Sequence, residues 1–140
     1  MTPAQIALVQ SSFERIAPTA STAAAIFYQR LFETAPEVRP LFKTEMDEQG
    51  RKLMATLAAV VHNLDRLDAI LPTARDLAVR HVQYGVRPEH FGPVGAVLLW
   101  TLAQGLGPDF TPDTAEAWRT AYGLVSRVMI EAAYPAVSTN

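Results

Sequence analysis

No cysteine occurs among the 140 residues, and that one absence removes several functional classes together. Disulfides, thiolate metal sites, zinc knuckles, iron–sulfur clusters and cysteine nucleophiles are all excluded. Any metal must be held by His, Asp, Glu, Met or Tyr. A surplus of positive charge is missing as well: Lys and Arg number 12 and Asp and Glu 14, a formal net charge of -2 with the signs interspersed. There is no basic stripe for nucleic acid or an anionic membrane, so neither is expected as a partner. No apolar run approaches the roughly 18 residues a membrane helix needs. The opening residues, MTPAQIALVQSSFERIAP, lack the basic start and compact apolar run of a secretory leader, which makes a cytoplasmic location the expectation. HExxH, DxDxDG, GxSxG and Gly-rich phosphate loops are absent, so a self-contained hydrolase or nucleotide site is not expected.

What is present is helical periodicity. Gly and Pro punctuate the chain, and the segments between them carry apolar residues at helical rather than strand spacing. Thr2, Pro3 and Gln5 make a helix start, followed by the stripe Ile6, Val9, Phe13 and Ile16 up to Pro18. A second helix, STAAAIFYQRLFETAP, carries Phe27 and Leu31 and closes at Pro36, because the residue before a proline is pushed out of the helical region. The polar run KTEMDE, residues 43–48, reads as a surface connection. Next comes a helix through Leu53, Leu57, Val60, Val61 and Leu64, then a shorter one through Ile70, Ala74, Leu77 and His81, stopped by Gly85. Pro88 opens a helix through Val94, Val97, Leu98 and Leu102 that ends at GLGPDF. The last starts at Thr111 and Pro112 and runs through Ala115, Trp118, Tyr122, Val125 and Met129 to Pro135. With no repeat or linker, residues 1–140 are expected to form one all-α domain, an orthogonally packed bundle of six or more helices around a single core.

Among the 3 histidines, His62 lies nearly opposite Leu53 around its helix and reads as solvated, and His90 beside Pro88 suits a surface or capping role. His81 alone sits on an apolar face. Residue types leave two readings open: a core histidine bonded to a carbonyl, or a metal ligand. One imidazole is too few for zinc or non-haem iron, which want three protein ligands or more. It suffices only where the metal brings its other ligands with it, as in haem.

Here a family resemblance enters. LPTARDLAVRHVQYGVRPEHFGPVGAVLLWTL resembles the proximal-histidine region, GV corner and following helix of bacterial single-domain globins, which are similar to the globin half of flavohaemoglobins. AWRTAYGLVSRVM in the last helix is a second matching piece, and the likeness covers essentially the whole chain. It implies the globin fold, a three-over-three helical sandwich, with haem b. On that resemblance His81 is the proximal iron ligand, Phe42 packs on the haem face, Tyr28 is the distal tyrosine, Gln49 the distal glutamine, and Leu53 the apolar residue over the iron. Leu57, Leu77, Val86, Phe91 and Val94 complete the expected haem contacts. Tyr28 and Gln49 both carry donors able to hold a bound gas. Without the resemblance, Tyr28 also reads as a core aromatic and Gln49 as a solvated residue.

The chain departs from the family pattern on the proximal side. A tyrosine that would bond the proximal histidine is replaced by Phe91, and the matching glutamate position falls on Pro135, with Glu131 one turn earlier. Without such partners the imidazole is a weaker electron donor, and its NH is expected to bond the carbonyl of Leu77. The sequence ends at Asn140 with no flavin or nicotinamide domain, so a separate reductase is the expected electron source. The resemblance implies dioxygen, nitric oxide and carbon monoxide as ligands, and a monomer or homodimer. Reversible oxygen storage or delivery, nitric oxide dioxygenation and haem-based gas sensing all fit this pattern. A haem-free helical interaction module is the reading from a different class.

Overall fold

The computed structural model describes residues 1–41, 46–66, 71–72, 74–76, 78–79 and 90–133, and the side chains of 131–133 fall outside that description. Five long helices lie among the described residues: α1 (Pro3–Ile16), α2 (Ala20–Thr34), α3 (Met46–His62), α4 (Phe91–Leu106) and α5 (Pro112–Ala133). No strand occurs among them, and none of the helices is long and apolar enough to cross a membrane.

Local chemistry explains the boundaries. The Thr2 hydroxyl accepts from the Gln5 N–H at 3.1 Å while the Gln5 side chain accepts from the Thr2 N–H at 3.0 Å, so two otherwise orphaned donors are satisfied reciprocally. Pro18 closes the first helix as expected, α1 ending at Ile16. It sits in a three-residue 3-10 turn, Ala17–Thr19, that leads straight into α2, because a proline near the start of a helical turn gives up no needed N–H. At the far end, Thr111 Oγ1 accepts from the Thr114 N–H at 3.2 Å and caps α5, as expected.

Two expectations need correction. The connection expected over KTEMDE is already helix from Met46, with Asp47 and Glu48 in the first turn, where carboxylates favour the positive end of the helix dipole. The α3 helix stops at His62, and Leu64 is buried just beyond it in a turn. The break falls inside GLGPDF as expected: α4 includes Gly105 and Leu106 and ends at Gly107, whose φ of 56° lies in the left-handed region. The start of α4 at Phe91 rather than Pro88 is the described part of a boundary whose remainder, like Gly85, lies outside the described residues. Ala74 and Ala78 are helical and buried, and Ile70, Leu77 and His81 of the helix expected here lie outside the described residues.

The core joins Val9, Phe13 and Ile16 of α1, Phe27, Tyr28 and Leu31 of α2, Leu98 and Leu102 of α4, and Trp118 and Met129 of α5. Helix α1 lies along α5, and α2 packs against both α3 and α4. The α1–α5 seam contains one buried polar link: Trp118 Nε1 donates to Ser12 Oγ at 2.8 Å, and that hydroxyl donates in turn to the Leu8 carbonyl at 2.6 Å. With Phe13 and Trp118 rings 6.5 Å apart beside it, this link fixes how the two helices register. Replacing Ser12 by Ala leaves the indole N–H buried without its acceptor. The substitution should lower unfolding free energy in a urea titration by about 1–3 kcal/mol; a loss below about 0.5 kcal/mol, the range of a surface change, would show that the link does not matter.

Candidate functional site

The site is built where α2 crosses α3. Ala24, Phe27, Tyr28 and Leu31 form the buried face of α2, which places the Tyr28 phenol in the interior at 6% exposure. Its ring is clamped on two sides: Phe27 meets it edge-on at 5.1 Å, and Phe32 stacks on it at 5.9 Å with 27° between the planes. The Arg39 guanidinium lies 4.9 Å over Phe32, so the stack runs outward to a cation at the surface.

Gln49 stands in the first turn of α3 and is half-buried rather than solvated. Its side chain is hydrogen-bonded to Tyr28, and this bond acts to lower the phenol pKa. A bond that the phenol oxygen accepts from the Gln49 amide would have that effect. Burial outweighs it and pushes the Tyr28 phenol from 10.0 up to about 12. The hydroxyl therefore stays protonated through the neutral and moderately alkaline range.

Leu53 and Leu57 follow Gln49 at intervals of four, on the same side of α3. Only Gly50 and Val61 of the 17 residues of α3 are buried, whereas Leu53, Met54, Leu57 and Ala58 are half-buried. Behind Leu53 and Leu57 lies a cavity of about 20 Å³ bounded by Phe27, Leu98 and Leu102. The Thr101 hydroxyl on its wall is committed to the Val97 carbonyl at 2.9 Å, so the cavity lacks the polar partners that would hold a water. Phe91 and Val94 are half-buried at the start of α4.

The structure thus brings together Tyr28 and Gln49, with Leu53 and Leu57 on the same helix face as Gln49. Phe42, Leu77, His81 and Val86 lie outside the described residues, as does the side chain of Glu131. His62 is exposed as expected, its ring meeting Phe13 edge-on at 6.4 Å. His90 occupies the residue before α4 without a side-chain capping bond. Sequence reasoning missed Tyr122, which reads as one more stripe residue. Its hydroxyl donates to the Phe91 carbonyl at 2.6 Å, and its ring packs where a methyl on Gly95 would fall. Burial raises the Tyr122 phenol pKa as well. Phe91 itself offers no hydroxyl, so this tie runs to the backbone at the start of α4.

The described residues thus define an all-helical protein of crossed helices in which the buried Tyr28 and the half-buried Gln49 meet beside a half-covered apolar face. Comparison with known proteins names the family. The Globin family pattern matches residues 25–129. The flavohaemoprotein of Halalkalibacterium halodurans is 35% identical over 108 residues, 75% of this chain and 26% of that protein. The flavohaemoprotein of Bacillus subtilis is 30% identical over 128 residues, 89% of this chain and 32% of its own length. The chain therefore spans about a quarter to a third of these relatives. Among solved structures, a bacterial globin from Campylobacter jejuni superimposes with a TM-score of 0.86 at 27% identity, covering 98% of this chain and 99% of that one. An engineered carbene transferase made from a proposed nitric oxide dioxygenase of Rhodothermus marinus gives 0.88 at 25% identity, covering 99% and 97%. The chain belongs to the globin family, on the bacterial branch that resembles the globin part of flavohaemoproteins.

The buried phenols set an alkaline limit. A pKa raised above its unfolded value contributes stability that is complete below about pH 10 and is lost as pH climbs through about 12. Wild-type stability should therefore fall steeply across that window, and Tyr28→Phe, with no proton to lose, should fall by about 2–3 kcal/mol less. Urea midpoints at pH 9 and pH 12 check this, and equal losses in both proteins would contradict it.

Proposed function

We propose that this globin binds haem b through His81 and uses Tyr28 and Gln49 to hold a diatomic gas, dioxygen first among them. The observation that carries the reading is the buried Tyr28–Gln49 hydrogen bond beside the half-covered stripe Leu53–Leu57. An incompletely covered apolar face suits a flat apolar group, and a polar pair inside it suits a polar ligand carried by that group. When bound, haem supplies the iron at which dioxygen, nitric oxide or carbon monoxide coordinates reversibly.

The protein supplies the surroundings. Gln49 donates to the Tyr28 oxygen, which orients the phenol, and a phenol that accepts one bond also has an O–H to donate. A phenol held at a pKa of about 12 keeps that proton at physiological pH. Donors fixed in a dry pocket stabilise a ligand on which negative charge builds up, and they do so without reorganising. Leu53 and Leu57, with Phe42, Leu77, Val86, Phe91 and Val94, are proposed to wall the haem and exclude water.

Strong donation slows oxygen release, which suits gas chemistry better than delivery. We assign the chain to nitric oxide removal: dioxygen and nitric oxide combine to nitrate, a conversion that takes up one electron per turnover. A separate reductase is the proposed source of that electron. Oxygen storage is the second reading, favoured by Phe91, whose ring cannot strengthen the proximal histidine as a tyrosine would.

Tyr28→Phe should speed oxygen release by about tenfold or more, the worth of one hydrogen bond to a charged partner. Stopped-flow measurement of the oxygen off-rate in both proteins tests it. An unchanged rate would remove Tyr28 from the site, and rapid release by the wild type would favour storage over nitric oxide removal.

A further inference from the structure

The Tyr28–Gln49 bond depends on how closely two helices approach, and one position governs that distance. A methyl built on Gly50 would lie 2.9 Å from Ala24 Cβ, inside any real carbon contact. Among the described residues, and the helix's own backbone apart, no other atom lies within 4 Å of such a methyl. Gly50 follows Gln49 directly on α3, and Ala24 lies one turn before Tyr28 on the buried face of α2. A close approach of the two helices therefore falls beside the polar pair.

We infer that the Ala24–Gly50 contact is a positioning element for the distal pair, holding α3 near enough to α2 for Gln49 to reach Tyr28. The inference rests on the proposed role of that pair in holding the gas. Carbon atoms settle at about 3.5–4.0 Å, so a methyl on Gly50 displaces α3 outward by about 0.6 to 1.1 Å. Ala24 cannot relieve the contact, since a methyl has no rotamer to change. Tyr28 cannot follow α3 outward, because Phe27 and Phe32 clamp its ring. A hydrogen bond of ordinary length stretched to about 3.6 Å is no longer one, and a shift of this size takes it there. The other crowded glycines differ: Gly105 faces the flexible tip of Ile16, and Gly95 faces the ring of Tyr122, away from the pair.

The contact also defines its own compensation. Removing the Ala24 methyl clears the atom that a Gly50 methyl would strike among the described residues, so Gly50→Ala combined with Ala24→Gly restores the spacing. Two readouts are needed. In haem-free protein, the hydrogen-exchange rate of the Gln49 side-chain amide reports the bond itself by NMR. In haem-loaded protein, the oxygen off-rate reports its consequence.

The expected result is that Gly50→Ala speeds both by about tenfold, the worth of one hydrogen bond. The double variant should return both to within about threefold of wild type and melt close to wild type, because it moves one helical glycine from α3 to α2 and leaves their number unchanged. Joint recovery of the amide exchange and the off-rate is a result that a merely structural contact would not produce. Wild-type rates in Gly50→Ala, or accelerated rates that Ala24→Gly does not reverse, would overturn the inference; the first would mean that the glutamine takes up the shift by itself. If no version binds haem, the functional reading fails separately, and amide exchange alone decides the spacing. Should Gly50→Ala not fold, Ala24→Ser, one atom larger from the facing helix, takes its place under the same outcomes.

Discussion

Helices α2 and α3 cross at a point where one presents a methyl group and the other bare backbone, and the geometry of the site follows from that contact. A crossing this close requires small residues at its centre, so the larger polar side chains must sit just beside it. Tyr28 and Gln49 occupy those flanking positions, within reach of each other although they belong to different helices. The same crossing carries Leu53 and Leu57 past the pair, and α2 also packs against α4. Site and core are therefore two faces of one packing arrangement: the face of α2 that buries Phe27 and Leu31 also buries the phenol.

Burial and polarity are kept in balance by pairing. Among the described residues, no buried side-chain nitrogen or oxygen lacks a hydrogen-bond partner. Ser12 serves Trp118, the Val97 carbonyl serves Thr101, and the Phe91 carbonyl serves Tyr122. Each bond links a side chain to a neighbouring helix or an earlier turn, which fixes register as well as satisfying a donor. Tyr28 belongs to this set and, like Trp118, is partnered by a side chain of another helix, the half-buried Gln49. A pair of side chains can be repositioned by small helix shifts, so it is more sensitive to spacing than the backbone-anchored bonds around it.

The parts of this architecture that were legible in the sequence are the local ones. Thr2 with Gln5 and Thr111 with Pro112 announced their helices because capping chemistry spans only a few residues. The start of α3 was not legible: Met46, Asp47 and Glu48 are polar enough to resemble a connection, and their preference for a helix N-terminus shows only once the helix is known. The stretch GLGPDF marked the end of α4 but not the role of its first glycine, Gly105, whose packing partner Ile16 is distant in sequence. Tyr28 and Gln49 came from family resemblance rather than periodicity, which cannot report what a residue on one helix meets on another. Gly50 was invisible for the same reason, since a glycine within a helix reads as a weakness until the facing methyl is seen. Tyr122 announced only its apolar ring, and the target of its hydroxyl is a carbonyl with no sequence signature.

His81 is the proposed iron ligand of this globin. The most direct measurement is the ultraviolet–visible spectrum of the purified protein as ferric, dithionite-reduced and oxygen-exposed samples, recorded beside His81→Ala. A haem spectrum that passes to a stable oxygenated form in the wild type, and a variant that loses the haem or its five-coordinate ferrous signature, is the predicted result. A wild type that takes up no haem, or a His81→Ala protein with the same ferrous and oxygenated spectra, would contradict it.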